Sequence, residues 1–293
     1  RLPGPGYAGG LYGGSTGVST GWRVAVTALP PGWGPAVIYG GPAVQFALLP
    51  FKLVGYATLA YLVYATVVEA ASVPVLAGTG TPGYRETRTA TAAAADAGAD
   101  AALVVTPFYY PHDQSTLAAY YRNLADEASI PIYLYSVPAF TDVRLAPDTV
   151  ADLADHPNIA GIKDSSGDVG RFVRIVRRTA DADFDPIVGS GAVFSQALAA
   201  GASGGVLALA NVAPDVTSEI YGAASSDPET ARRLNADVVE LDSAVTSEFG
   251  VPGLKYAMRQ RGAPAGHARS PHRPPDAAAR ERLDSLVAPL ADR

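Results

Sequence analysis

From residue 72 onward, short apolar runs alternate with helix-patterned stretches at a near-constant interval, and few architectures accommodate that rhythm. The runs are Ser72–Ala77, Ala101–Val105, Pro131–Tyr135, Ile159–Lys163, Ile187–Gly189 and Gly204–Leu209. Between them, helical spacing predicts helices over Glu86–Ala97, Gln114–Ala128, Pro147–Asp155, Val169–Arg178, Ala192–Ala200 and Val212–Ala224. In the second of these, Leu117, Tyr120, Tyr121 and Leu124 share one face. Three more helices, Pro228–Phe249, Gly253–Arg261 and Pro275–Leu290, follow. Each strand is continuously apolar instead of alternating, the pattern of a parallel sheet covered by helices. Adding Val24–Leu29 and Ala36–Tyr39 upstream makes eight strands. The expected fold is therefore a (β/α)8 TIM barrel over residues 1–224 with a C-terminal helical extension over 225–293. The rival is an open doubly wound sheet with a nucleotide-binding first turn. The Gly13–Gly17 run lacks the preceding strand and the later acidic residue that such a turn requires.

Composition removes several kinds of chemistry. Hydrophobic residues at 48% and charged residues at 17% describe a globular chain. A net charge of −6 gives no basic face, so no nucleic-acid partner is expected. The absence of cysteine excludes disulfides, thiolate metal sites and a cysteine nucleophile. The four histidines, His112, His156, His267 and His272, show no ligand spacing, so neither a metal nor another cofactor is expected. Phe46–Val68 is apolar apart from Lys52, but Pro50 and Gly55 interrupt it. The remainder, Leu53–Val68, is shorter than the roughly 20 residues of a membrane span. A buried helix is the preferred reading, and no membrane partner is expected. With no charged-then-apolar leader pattern, the expected location is cytoplasmic.

Against this background one lysine stands out. The chain has three lysines, Lys52, Lys163 and Lys255, against nineteen arginines. Lys163 ends an apolar strand, and the polar turn Asp164-Ser165-Ser166-Gly167-Asp168 follows directly. Arginine cannot replace lysine where a neutral amine is needed. A lysine among apolar neighbours can attack a carbonyl; the plain alternative is a lysine that snorkels from a strand end to water. Barrel sites are built at the C-terminal ends of strands. Tyr135 ends the preceding strand, and Tyr109 lies just beyond the strand before that. By strand alternation Gly161 shares a face with Lys163 and is expected to leave room beneath the lysine stem. An amine beside phenols suits Schiff-base chemistry, with a tyrosine moving protons.

Five motifs then occur in order: Val-Pro-Val-Leu-Ala-Gly-Thr-Gly (73–80), Thr-Pro-Phe-Tyr-Tyr (106–110), Tyr-Ser-Val-Pro (135–138), Gly-Ile-Lys-Asp-Ser-Ser-Gly (161–167) and Ala-Asn-Val (210–212). Together they resemble the dihydrodipicolinate synthase and N-acetylneuraminate lyase family, which includes 2-keto-3-deoxygluconate aldolases. The resemblance implies the barrel, a homotetramer, and class I aldolase chemistry on a small 2-oxo acid such as pyruvate. It implies Lys163 as the Schiff-base lysine, Tyr135 as the proton-transfer tyrosine and Tyr109 as a tyrosine shared with a neighbouring subunit. Gly189 and Val206 match positions lining the keto acid.

Two departures refine this. Where dihydrodipicolinate synthases carry an arginine for the second substrate's carboxylate, this chain has Phe140. That favours a 2-keto-3-deoxy sugar acid over lysine biosynthesis, with a keto-deoxy sugar acid dehydratase or a non-catalytic binding barrel as the other readings. The family's hydroxyl turn after the second strand is also missing from its place, which holds Gly40-Gly41-Pro42-Ala43. Gly14-Ser15-Thr16-Gly17 matches better in text but lies about thirty residues too early. Thr16 is the candidate from that stretch. A divergent segment and a shifted reading frame both account for the abrupt change of composition near residue 70.

Overall fold

A computed structural model of the chain describes residues 74–290. Six strands form one sheet: β1 Leu76–Gly78, β2 Ala101–Val105, β3 Ile132–Ser136, β4 Ile159–Asp164, β5 Asp185–Val188 and β6 Gly204–Gly205. All neighbours are parallel, and spatial order follows sequence order. A doubly wound sheet reverses its order at a switch point; this one does not. The fold is α/β, a parallel arc backed by helices. The upstream strands expected at Val24–Leu29 and Ala36–Tyr39, the apolar 46–68 stretch and Thr16 lie outside the described residues.

The connecting helices are α1 Tyr84–Asp96, α2 Gln114–Glu127, the short α3 Pro138–Thr141, α4 Pro147–Ala154, α5 Val169–Arg178, α6 Phe194–Ala199 and α7 Pro214–Ala223. Aspartates start several of them. Asp113 accepts the Thr116 amide at the head of α2, and Asp168 accepts the Arg171 amide at the head of α5, each satisfying a donor that the first turn leaves open. After α7 come α8 Pro228–Ser243, α9 Gly250–Gln260 and α10 Ala277–Val287. These three helices share one apolar cluster with α6 and α7, built on residues such as Phe194, Val216, Leu234, Leu241 and Leu283.

Strand alternation separates two other clusters. Val104, Leu134 and Ile162 face the helices and pack on Leu117, Tyr121, Leu124, Leu153 and Ile175. Tyr120, expected on the same face of α2, is only partly buried there. Leu103, Tyr133 and Ile187 face the inside of the arc, with Tyr135 and Val206 packed against them.

Several elements differ from the expectation: β1 begins at Leu76 and reaches Gly78 where the expected run ended at Ala77, and the short α3 lies in a stretch with no expected helix. β5 starts and ends earlier than expected, so Gly189 follows the strand. β6 is only two residues, because the chain turns into a 3-10 segment at Leu209–Asn211. The helix expected over Ala192–Ala200 is a 3-10 turn, Gly191–Val193, that runs into α6. The long helix expected to reach Phe249 changes at Ala244 into a π turn that ends at Glu248. There Thr246 Oγ1 donates to Asp242 O at 2.6 Å and Ser247 Oγ donates to Ser243 O at 3.1 Å, side-chain bonds that compete with the helical ladder.

The β3–β4 pairing carries an irregularity. Ile132 pairs with Ile159, but Tyr133 pairs with Gly161, so Ala160 is an extra residue on β4. Beyond it Tyr135 pairs with Lys163 and Ser136 with Asp164.

The entry into this strand pair is held by Asn158. Its Nδ2 donates to the carbonyls of Ala125 and Ala128, each at 2.9 Å, and of Ile130 at 3.3 Å, closing the end of α2 and the approach to β3. Asn158→Ala leaves those carbonyls without this donor. It is expected to lower stability by about 1–3 kcal/mol, read as a shifted denaturation midpoint at unchanged m-value.

Candidate active site

The site begins with the pairing of Tyr135 and Lys163 at the strand ends. Lys163 is buried, 8% exposed, and its Nζ lies 4.3 Å from the centroid of the Tyr135 ring. Among the described residues Lys163 forms no ion pair. The amine sits against the face of an aromatic ring at the mouth of the arc, with its stem buried among the strand ends.

Neighbouring glycines decide what surrounds it. A Cβ at Gly189 would lie 1.8 Å from Ser165 Oγ and 2.9 Å from Lys163 Cε. Any larger residue at this position would make Ser165 or the lysine stem shift. Gly161 does something other than expected. A Cβ there would lie 2.5 Å from both Tyr133 Cε1 and Asp185 O, so the room it provides is filled by the Tyr133 ring and not left beneath Lys163. Tyr133 in turn donates its hydroxyl to Asp185 Oδ2 at 2.9 Å, and Ser203 Oγ donates to Asp185 Oδ1 at 3.1 Å. These bonds tie β3, β5 and the approach to β6 together under the site.

The turn after Lys163 is fixed by its own side chains. Asp164 Oδ1 accepts the Ser166 amide at 2.9 Å, Gly167 has φ +71°, and Asp168 then caps α5. Backbone bonds hold the turn to both flanks: the Ser165 amide donates to Ser136 O and the Gly189 amide to Asp164 O, each at 2.8 Å. Asp164 and Arg171 form a buried ion pair at 3.4 Å, 1% and 5% exposed. Burial pulls the Arg171 guanidinium below its usual range, while the Asp164 charge acts in the opposite sense. A guanidinium stays protonated through such a shift.

From the C-terminal helices, α8 grips the turn that carries Gly189. Asn235 Oδ1 accepts the Ser195 amide at 2.7 Å and its Nδ2 donates to Gly191 O at 2.9 Å. Asp242 Oδ2 accepts the Ala192 amide at 2.9 Å, and burial raises the pKa of this carboxyl.

The expected site residues thus fall into three groups. Lys163, Tyr135 and Gly189 come together, and Val206 packs against the same inner cluster just beyond β6, its amide donating to Val188 O at 2.9 Å. Tyr109 and Phe140 are exposed, at 83% and 82%, on the segments that follow β2 and β3. Tyr109 adopts φ +86° and packs edge-on against Tyr110, with ring centroids 4.9 Å apart. Thr16 lies outside the described residues. Ser165, Asp164 and Arg171 are additions that the residue pattern alone did not single out. A signal for Arg171 existed: a cation in the first turn of a helix opposes the helix dipole and asks for a specific partner.

With this geometry in view, comparison with known proteins is decisive. The model of the dihydrodipicolinate synthetase family matches residues 58–289. The chain belongs to this family. A 4-hydroxy-tetrahydrodipicolinate synthase from Haloarcula marismortui is 37% identical over 221 residues, covering 73% of this chain and 72% of that one. An uncharacterized DapA-like lyase from Halobacterium salinarum is 38% identical over 219 residues, covering 74% of this chain and 71% of that one. Among solved structures, a chloride-inhibited dihydrodipicolinate synthase from Acinetobacter baumannii complexed with pyruvate superposes with TM-score 0.75 at 32% identity, covering 79% and 80% of the two chains. YagE, a family member from Escherichia coli K12 in complex with pyruvate, gives TM-score 0.74 at 28% identity, covering 81% and 82%. This family member is a lyase of the aldolase type. No helix among the described residues is long and apolar enough to cross a membrane.

The Gly189 contact gives a sharp test. Gly189→Ala is expected to lower lyase turnover by at least about tenfold, because a clash at the lysine stem displaces the Lys163 amine from its place beside Tyr135. Gly222→Ala, on α7 with open space where its Cβ would stand, should leave turnover unchanged. Steady-state kinetics of the two variants side by side make the comparison.

Proposed function

We propose that this protein is a class I, pyruvate-dependent aldolase on a closed (β/α)8 barrel with a C-terminal helical extension. The reaction breaks or forms a C–C bond between pyruvate and an aldehyde. The observation that carries the proposal is the buried Lys163 amine at 4.3 Å from the Tyr135 ring, at paired strand ends. Relatives crystallised with pyruvate support the choice of keto acid.

In the cleavage direction the Lys163 amine adds to the C2 carbonyl of a 2-oxo acid. Loss of water leaves an iminium. The C3–C4 bond then breaks, its electron pair moving into an enamine, while the C4 hydroxyl proton passes to a base and an aldehyde departs. Protonation of the enamine at C3 and addition of water release pyruvate and restore the amine. Tyr135 is assigned the proton transfers, Gly189 and Val206 the walls beside the keto acid. Neither a metal nor another cofactor enters the scheme. Tyr109, exposed beside Tyr110, is assigned to a neighbouring subunit's site in a homotetramer; one solved relative at 27% identity is described as a monomeric variant, so assembly differs within the family. A cytoplasmic location fits a substrate of this kind.

Phe140 directs the choice of aldehyde. An exposed phenyl ring offers no charge-assisted hydrogen bond to a carboxylate, whereas a polyol aldehyde needs none. The favoured reaction is cleavage of a 2-keto-3-deoxy sugar acid. Condensation of pyruvate with aspartate semialdehyde is the second reading, favoured by the names of relatives such as the Haloarcula protein.

Three outcomes are expected. Borohydride with pyruvate should add one three-carbon group to Lys163, found by peptide mass mapping, and Lys163→Arg should abolish it; an adduct on Lys52 or Lys255 contradicts the assignment. Tyr135→Phe keeps the ring and removes the hydroxyl, so turnover should fall by about 10²–10⁴-fold. Cleavage of 2-keto-3-deoxygluconate should exceed aspartate-semialdehyde condensation in kcat/KM by at least about tenfold, or roughly 1.4 kcal/mol, and Phe140→Arg should narrow the gap. Efficient condensation with negligible sugar-acid cleavage would establish the second reading.

A further inference from the structure

We propose that Arg171 is a positioning residue for the lyase reaction, its guanidinium tying the residue after Lys163 to the residue after Tyr135 and so fixing amine and phenol relative to one another. The inference rests on the Schiff-base reading above and adds to it a residue that touches no substrate.

Arg171 Nε lies 3.4 Å from Asp164 Oδ2, and Nη2 donates to Ser136 Oγ at 3.5 Å. Asp164 and Ser136 are partners in the β3–β4 register. Each is one peptide bond from a reacting side chain, and each points to the helix side of the sheet while Lys163 and Tyr135 point inward. All three residues are buried: Ser136 is fully so, and Asp164 and Arg171 are 1% and 5% exposed. A surface cation that merely increases solubility does not occupy such a place.

The chain also spends local structure on putting Arg171 there. The Asp164–Ser166 turn, the left-handed Gly167 and the Asp168 cap bring α5 back so that its third residue reaches under the strand that carries Lys163. The wide guanidinium spans both neighbours, lying beside the Asp164 carboxylate with one edge and donating to Ser136 with the other, a reach that the single ammonium of lysine does not reproduce with the same geometry. Arg171 Nε and Nη1 make no hydrogen bond, so the contact to Asp164 is ionic and the link to β3 runs through Nη2 alone.

The test uses the full chain and pyruvate alone, compared in wild type, Arg171→Lys and Ser136→Ala. Two properties are read beside the melting temperature: the extent of borohydride trapping, which needs the amine, and the rate at which pyruvate methyl protons exchange for deuterium, which needs amine and proton-transfer group in register. Arg171→Lys should trap pyruvate to within about twofold of wild type while exchanging about 10–100-fold more slowly, and Ser136→Ala should exchange about 3–10-fold more slowly, as expected for displacement of a reacting group by a fraction of an ångström to one ångström. Exchange at the wild-type rate in both variants overturns the proposal. So does a parallel loss of trapping and exchange that follows the melting temperature, since that marks a merely structural role. If Arg171→Lys does not fold, Ser136→Ala decides, with wild-type exchange the contrary result. A wild-type protein that neither traps nor exchanges overturns the Schiff-base reading itself and the positioning role with it.

Discussion

The extra residue Ala160 in β4 puts Lys163, not Ile162, opposite Tyr135. Side chains alternate along a strand, so a slip of one residue exchanges the two faces. Continued from the Ile132–Ile159 pair without the bulge, the register would bring Ile162 level with Tyr135 and turn the lysine toward the helices. Bulges in parallel pairs are rare and re-aim side chains beside functional sites. Here the re-aimed residue is Lys163, the amine to which the proposed chemistry is assigned. Gly161 makes the bulge possible, because the Tyr133 ring and the Asp185 carbonyl both lie where its Cβ would stand.

Around that register the polar contacts form a second layer. Asp164 turns the chain through Ser166, Asp168 starts α5, and Arg171 returns to Asp164. On the other side, Asn235 and Asp242 of α8 hold the turn that presses Gly189 against the lysine stem. The C-terminal helices therefore do more than cover the last strands: through two side chains they fix one wall of the site. A buried ion pair such as Asp164–Arg171 repays its desolvation only when geometry is good, and losing one partner costs about 3–5 kcal/mol. Its worth here is better understood as orientation than as stability.

Much of this was legible in the sequence because it rests on periodicity and on scarcity. Continuous apolar runs revealed β2, β3 and β4 closely, and one lysine at a strand end among so many arginines drew notice to the position that the structure places beside Tyr135. Tyr135 followed from its equivalent place on the preceding strand. What stayed hidden depends on pairing between strands. A bulge leaves no mark in the residue pattern of one strand, so Gly161 read as room for Lys163 when the ring of Tyr133 fills that room. β6 read too long because Val206, Leu207 and Leu209 are apolar whether they pair in a sheet or pack into the core as the chain turns. The change at Ala244 to a π turn, where Thr246 and Ser247 hydroxyls bond back to the chain, is not something propensity alone signals. Phe140 was visible only through the resemblance, since an exposed phenylalanine carries no chemistry of its own.

The central claim is that the β3–β4 register delivers Lys163 to a keto carbon beside the Tyr135 hydroxyl. A crystal structure of the protein soaked with pyruvate and reduced in place tests it directly. The account predicts continuous density from Lys163 Nζ to C2 of the three-carbon unit, with the Tyr135 oxygen within about 3.2 Å of the former carbonyl position. Density joined to Lys255 or Lys52, or pyruvate held without a bond to any lysine, would contradict it.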